Sequence, residues 1–369
     1  MNFGINFFLT FFLYLNIFSQ NSDNQPLKVN KYLYVAVPGI RNYLDYGGHG
    51  IVVYDIESNY KFVKRIPTQG LGPDGKPSNV KGICVSTSLQ SIYITTIHSL
   101  QRIDIKTEKV LWEKFLPEGF DRLEISPDGL TIYAPSFEKE FWNIINARTG
   151  EIIDKIMPKS AAHNTIYGAN GKEVYLAGLK SPYLTVVNPN KIEDTRQIGP
   201  FSNFIRPFTV NGKQTLVYVN VNELLGFEIG NLKTGKMLYS VQVKGFEKGE
   251  IKRHGCPSHG IGLTPNEKEV WVVDGANSAV HVFDNTQMPP IQKETITLRD
   301  QPGWITFTLD GKSAILSTGE IIDTKTKKIT ATLQDENGKN LSSEKVVEIH
   351  ISNQKALKNG SQFGVGRLI

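Results

Sequence analysis

The chain has 369 residues, a formal net charge of +5 and 33 glycines. The charge is small for this length, and no basic stripe carries interleaved aromatic residues, so we do not expect binding to nucleic acid. The many glycines suit a chain with frequent turns. Together these properties indicate one all-β body rather than a set of linked domains.

The N-terminal segment is almost wholly apolar over residues 1–20, and a polar stretch follows from Ser19. This pattern predicts a secretory signal peptide over residues 1–20 and a short polar leader over residues 21–30. The segment lacks an early Lys or Arg and a clean small-x-small cleavage site, so an uncleaved membrane anchor is the alternative. The apolar run is short for a full span. With cleavage, the protein would be exported as a periplasmic, cell-surface or secreted protein with no membrane span.

Two turn signals recur between residues 31 and 352, each following a short β-branched or aromatic run. The first occurs at Asp128-Gly129, Asn170-Gly171, Asn211-Gly212, Asn266-Glu267 and Asp310-Gly311. The second begins at Asp55, Asp104, Asn146, Asn188, Asn231, Asp284 and Asp323. A repeat of about 41 to 55 residues is typical of four-stranded propeller blades. The sequence therefore predicts a seven-bladed β-propeller of antiparallel blades over residues 31–352.

The two ends of this repeat region are out of phase. Residues 31–37 match the second strand of a blade, but no first strand precedes them. Residues 344–351 form a spare strand at the other end. We therefore expect the C-terminal strand to complete the first blade, which removes an exposed sheet edge. Residues 353–369 have no strong pattern and are interpreted as a C-terminal tail.

Several repeats carry motifs of a known family. Ser126-Pro127-Asp128-Gly129 matches its first turn, Tyr218-Val219-Asn220 approximates its namesake strand, and residues 231–236 match its later turn. The chain thus resembles the YVTN-repeat β-propeller family, which is similar in fold to propeller lactonases and to propeller subunits of some quinoprotein dehydrogenases. The resemblance implies the fold and export, and only weakly a function.

Histidines cluster on one predicted face of the ring. The loops between successive blades and the second-to-third-strand loops share this face, and they carry His49, His98, His163, His254 and His259. Converging imidazoles bind a transition metal or act as acid and base; alternatively, each bonds a backbone group at a strand start. His163, His254 and His259 are the metal candidates, with Asp45 and Asp274 as supporting carboxylates. No other cofactor is predicted.

Further side chains at the starts of the first strands should point toward the central channel. They are Lys81, Asp121, Arg122, Asn164, Arg206, Trp304 and Lys345. Arg206 is the better candidate for clamping a carboxylate or phosphate, because Arg122 has the acidic neighbours Asp121 and Glu124. Trp304 is included among the candidate ligand-binding residues.

Two functions remain open at this point. The first is a binding scaffold for a small molecule or protein at the histidine-bearing face. The alternative is a lactonase-like hydrolase at the channel mouth, using His163, His259 and Arg206, and metal-assisted if a metal binds. The sequence contains no Gly-x-Ser-x-Gly elbow, so it assigns no catalytic residue, and it does not name a ligand or partner.

Overall fold

The chain forms seven antiparallel sheets arranged in a ring, a seven-bladed β-propeller. The computed structural model describes residue 1, residues 28–250 and residues 253–368. Apart from Met1, the predicted signal peptide and the leader to residue 27 lie outside the described residues. The prediction of an all-β, seven-bladed propeller is confirmed.

Each blade has four strands, and the first blade has a fifth. The first blade consists of β1 (Asn30–Val37), β2 (Gly50–Asp55), β3 (Lys61–Ile66), β28 (Val346–Ser352) and β29 (Lys355–Asn359). The second to fourth blades consist of β4 (Val80–Ser86), β5 (Ser91–Thr96), β6 (Ser99–Asp104), β7 (Val110–Phe115), β8 (Glu124–Ile125), β9 (Thr131–Pro135), β10 (Trp142–Asn146), β11 (Ile152–Ile156), β12 (Ala162–Tyr167), β13 (Val174–Gly178), β14 (Leu184–Asn188) and β15 (Lys191–Ile198). The fifth to seventh blades consist of β16 (Ile205–Val210), β17 (Leu216–Val221), β18 (Gly226–Asn231), β19 (Met237–Gln242), β20 (Ile261–Leu263), β21 (Glu269–Asp274), β22 (Ala279–Asp284), β23 (Ile291–Thr297), β24 (Ile305–Phe307), β25 (Ser313–Leu316), β26 (Glu320–Asp323) and β27 (Ile329–Thr332). The only helical segment among the described residues is a short 3-10 turn, Leu44–Tyr46.

Both recurrent turn signals lie at the turns they predicted, and their side chains explain why the turns form. Asp104 Oδ1 accepts a hydrogen bond from the Thr107 backbone N–H at 2.7 Å, and Asp323 Oδ1 accepts one from Thr326 at 2.6 Å. Such a carboxylate or amide closes its own turn locally. Gly129 has a φ of +74°, a conformation that favours glycine.

The ring is closed between the two ends of the chain. Strand β28 pairs antiparallel with β1, with Val347 opposite Tyr34. The prediction that the C-terminal strand completes the first blade is therefore confirmed. Strand β29 continues the same sheet beyond β28, toward the centre of the ring.

The hydrophobic core is divided among the contacts between neighbouring blades. Seven buried clusters lie within the described residues, one between each pair of adjacent blades. Between the sixth and seventh blades, for example, Trp271 meets Phe307 edge to face at 5.7 Å. Because each blade is covered on both faces by its neighbours, its inner strands are apolar on both sides. The outermost strands are mostly exposed.

The residues after β29 enter the central channel. The Gln362 side chain donates to the Leu123 carbonyl at 2.7 Å, and Gly364 accepts from Thr209 Oγ1 and from the Leu263 N–H. These partners belong to or adjoin the innermost strands of the third, fifth and sixth blades. The segment from 360 to 368 therefore fills the channel and joins blades that are distant along the chain.

Candidate functional site

A cavity of about 300 Å³ opens at one mouth of the channel. It is lined by the starts of the inner strands and by the loops that precede them, so it lies on the face that the histidine pattern indicated. Its ionisable lining consists of Arg41, Lys81, Arg122, Arg206, Arg253 and Lys345, the acids Glu138 and Glu344, and the imidazoles His163, His254 and His259.

One side of the cavity is organised by a buried carboxylate, Asp121. Its Oδ2 lies 2.7 Å from His163 Nδ1, and its Oδ1 lies 3.3 Å from Lys81 Nζ. Burial alone would raise the pKa of Asp121, but Lys81 and His163 outweigh it and hold that pKa below its usual value. Asp121 is therefore a carboxylate that accepts the Nδ1 proton of His163, which leaves His163 Nε2 facing inward.

A second part of the cavity is organised by Glu344. Its Oε2 accepts from Arg122 at 2.8 Å and from Lys345 at 2.6 Å. Arg122 also lies over the face of Trp304, with its guanidinium carbon 3.3 Å from the ring centroid. Burial opposes ionisation of Glu344, yet Lys345 and Arg122 hold its pKa well below the usual range. Burial, followed by Arg122, lowers the pKa of Lys345 to about 7.

Two further imidazoles stand between these groups. The rings of His254 and His259 have centroids 4.6 Å apart and are inclined by 22°, and the His163 ring lies 6.3 Å from that of His259. Burial is the main cause that lowers the pKa of all three histidines, and for His259 the neighbouring His254 lowers it further. These imidazoles are therefore neutral at pH 7, the form that offers a lone pair.

The cavity brings together four of the seven candidate ligand-binding residues from the sequence. His163, His254, His259 and Arg206 line it, and Trp304 lies beneath Arg122 and is 3% exposed. The Arg206 Nε donates to Asn222 Oδ1 at 2.5 Å. Arg122 pairs with Glu344, rather than with the neighbouring acids that the sequence suggested.

Other candidates lie elsewhere. His49 Nε2 is 2.8 Å from the Gln69 carbonyl, outside the cavity, and His98 lines an adjoining depression. Asn164 is fully buried without lining the cavity. The expected supporting carboxylates are also distant: Asp45 is exposed beside Lys339, and Asp274 bonds His281.

The central residue that the sequence did not single out is Glu344. It stands at the start of the spare strand, which was recognised only as a closure element. The closure itself was the available signal, because it places the start of β28 at the channel mouth beside the other first strands. Its neighbour Lys345 was expected to face the channel for this reason, and it does line the cavity.

Several buried polar atoms of the site have no hydrogen-bond partner within the described residues. They are Arg122 Nη1, His163 Nε2, His254 Nε2 and Glu344 Oε1. Buried polar groups are rarely left unpaired. Their convergence on one cavity indicates a place that a ligand or water completes.

The fold and the cavity define a β-propeller suited to a binding scaffold. No known family model matches the chain, and no curated protein does, so the YVTN likeness remains a resemblance. Among solved structures, a chain of Kuenenia stuttgartiensis hydrazine synthase is 13% identical, with a TM-score of 0.59 over 76% of this chain and 88% of that chain. At this identity the likeness shows the fold alone. Within the described residues, no helix is long and apolar enough to span a membrane.

Proposed function

We propose that the protein is a binding scaffold for a small anionic molecule, one that carries a carboxylate or phosphate group, at the channel-mouth cavity. The observation that carries the proposal is the excess of basic groups around a cavity of about 300 Å³. Six basic side chains line it, against two acids in the lining and the adjacent Asp121 and Asp300. Like charges gathered around one cavity repel each other, and a bound anion offsets this repulsion.

Two of the basic groups are best placed to receive the anion. Lys81, Arg122, Arg253 and Lys345 each contact a carboxylate. Arg41 and Arg206 form no ion pair within the described part of the chain. Arg41 donates to the Arg253 carbonyl, and Arg206 donates to Asn222, so both guanidiniums are positioned by neutral oxygens. A guanidinium held in this way matches the two oxygens of a carboxylate or phosphate.

The lactonase-like alternative is not favoured. The adjacent pair Ser258 and His259 do not face the same way: Ser258 Oγ accepts from the Gly226 N–H of the fifth blade, whereas His259 lines the cavity. A nucleophile and its base must lie within hydrogen-bond reach, and Ser258 and His259 do not form such a pair.

Calorimetric titration with inorganic phosphate and with citrate, at low ionic strength, tests the proposal. We expect saturable binding of at least one anion, weakened roughly 10- to 100-fold by Arg206→Gln, since one charge-assisted contact is lost. Lys312→Gln is the matched control, because Lys312 is exposed in a first-turn loop on the opposite face. Absence of binding, or equal weakening by both substitutions, would contradict the anion site.

We further propose that the protein is exported. Support comes from the apolar residues 7–15 and the polar stretch that follows. Mass spectrometry of the protein from fractionated cells measures this directly. We expect a chain beginning near residue 21 outside the cytoplasm. An intact N-terminus in the membrane fraction would support the anchor instead, and an intact chain in the cytosol would contradict export.

A further inference from the structure

We propose that His254, His259 and Glu344 form a binding site for a divalent transition metal such as zinc. One donor atom from each residue lies within 4.8 Å of the others. Two imidazole nitrogens and one carboxylate oxygen are a donor set that zinc accepts, and three protein ligands leave a coordination position open. This proposal concerns the floor of the cavity and does not depend on the anion proposed for its rim.

The hydrogen bond of His259 fixes where its lone pair points. Its Nδ1 lies 3.1 Å from the Gly303 carbonyl oxygen. Because a carbonyl oxygen only accepts, Nδ1 carries the proton and Nε2 carries the lone pair. A metal-binding histidine commonly donates its other N–H to a carbonyl or carboxylate in this way.

Glu344 is held in a comparable arrangement. Its Oε2 receives the bonds from Arg122 and Lys345, while its Oε1 has no hydrogen-bond partner within the described residues. His254 Nε2 is likewise buried without a partner there. The outer atom Oε2 is therefore fixed, whereas the inner atom Oε1 lies 3.4 Å from His254 Nδ1 and forms no hydrogen bond within the described residues.

Glu344 Oε1, His254 Nε2 and His259 Nε2 can all offer electron pairs, and this determines the class of ligand that the site accepts. An anion would be repelled by the Glu344 carboxylate and by imidazole lone pairs. A single water has two protons and would satisfy two of the three atoms. A dication satisfies all three and leaves the fixed outer contacts unchanged. Arg122 and Lys345 already neutralise the charge of the same carboxylate. We therefore expect the metal to bind more weakly than in a closed four-ligand zinc site.

Gly303 makes the convergence sterically feasible. A Cβ at this position would lie 2.4 Å from His254 Nε2 and 2.5 Å from Glu344 Oε1. The two unpartnered atoms thus approach the same point on the backbone, where any other residue would collide with them.

The test is a calorimetric titration of the full chain with zinc chloride. The protein carries no polyhistidine tag, is first dialysed against a chelator, and is kept free of phosphate. We expect one zinc per chain, with binding at least about 100-fold weaker in His254→Gln and in His259→Gln. The matched control is His49→Gln, which removes an imidazole of the same face outside the cluster and should leave the affinity unchanged.

Either of two results would overturn the site: no saturable zinc binding, or an affinity that the His254 and His259 substitutions leave unchanged. Circular dichroism checks that each variant is folded. If a variant is not, X-ray absorption of the zinc-loaded native protein decides the question. Two imidazoles and one carboxylate around the zinc would support the assignment, and a shell without histidine would refute it. Phosphate binding that persists without zinc would leave the anion site standing on its own.

Discussion

At the residue scale, the absence of a side chain at Gly303 is one of the features on which the cavity depends. Gly303→Ala should destabilise the fold by about 1–3 kcal/mol, because the new methyl group displaces His254 and Glu344. Urea denaturation measures this loss. Gly275→Ala is the control, since its nearest contact is the Pro302 carbonyl at 3.8 Å. Equal stability of the two variants would contradict this prediction, because it would show that the side chains around Gly303 can move aside without loss of stability.

Glu124 predicts a pH dependence. Removal from water raises its pKa from 4.5 to about 7, so the folded state holds the proton more tightly than the unfolded state. Between these values the folded state binds more protons at Glu124, so this residue contributes a decrease in the free energy of unfolding as the pH rises. Glu124→Gln should remove that contribution and so change the pH slope of the free energy of unfolding, as measured by denaturation from pH 4.5 to 7. The exposed Glu140→Gln should leave it unchanged. An identical slope in all three proteins would contradict the assignment.

At the scale of elements, the C-terminal segment stabilises the channel from inside. Phe363 is 2% exposed, and its ring packs edge to face on Trp304 at 5.4 Å. Trp304 donates through Nε1 to the Gln362 carbonyl at 2.7 Å. Because Arg122, which lines the cavity, lies over the Trp304 ring, this segment supports the floor of the cavity.

Phe363→Ala should therefore cost about 3–5 kcal/mol in the free energy of unfolding, the range for a buried aromatic ring. Chemical denaturation provides the measurement. Leu357→Ala, in strand β29, is the matched control, because Leu357 is 54% exposed and such changes stay within about 0.5 kcal/mol. A Phe363 variant as stable as the Leu357 variant would mean that the segment merely occupies the channel.

At the scale of the whole molecule, the closed ring should unfold as one unit. The pairing of β28 with β1 joins the ends of the ring, and each core cluster is shared by two blades. Removing one blade would thus expose the cores of two others. We expect a single calorimetric transition with equal calorimetric and van't Hoff enthalpies. A chain ending at Ser352, which keeps the closure, should melt at a lower temperature and still in one step. Two separate transitions would contradict this coupling.

The sequence by itself determined the blade architecture. Turn residues such as Asp104, Asn146 and Asp323 close their turns with their own side chains, so their spacing is readable without tertiary contacts. The alternation of strand direction then assigned His163, His254 and His259 to one face. The out-of-phase ends predicted the closure for the same reason, because a missing strand and a spare strand are both visible in a local pattern.

Only the tertiary structure decided which side chains meet. Glu344 faces His254 and His259 from a different blade, and the carboxylate that holds His163 is Asp121, not Asp45 or Asp274. Periodicity fixes the face on which a residue lies, but not the rotation of the blades that brings two residues into contact. The position of the segment from 360 to 368 in the channel could not be predicted from the sequence, because many of its contacts are made by its backbone. Backbone hydrogen bonds across a ring require no particular side-chain pattern, and so they leave no signal in the sequence.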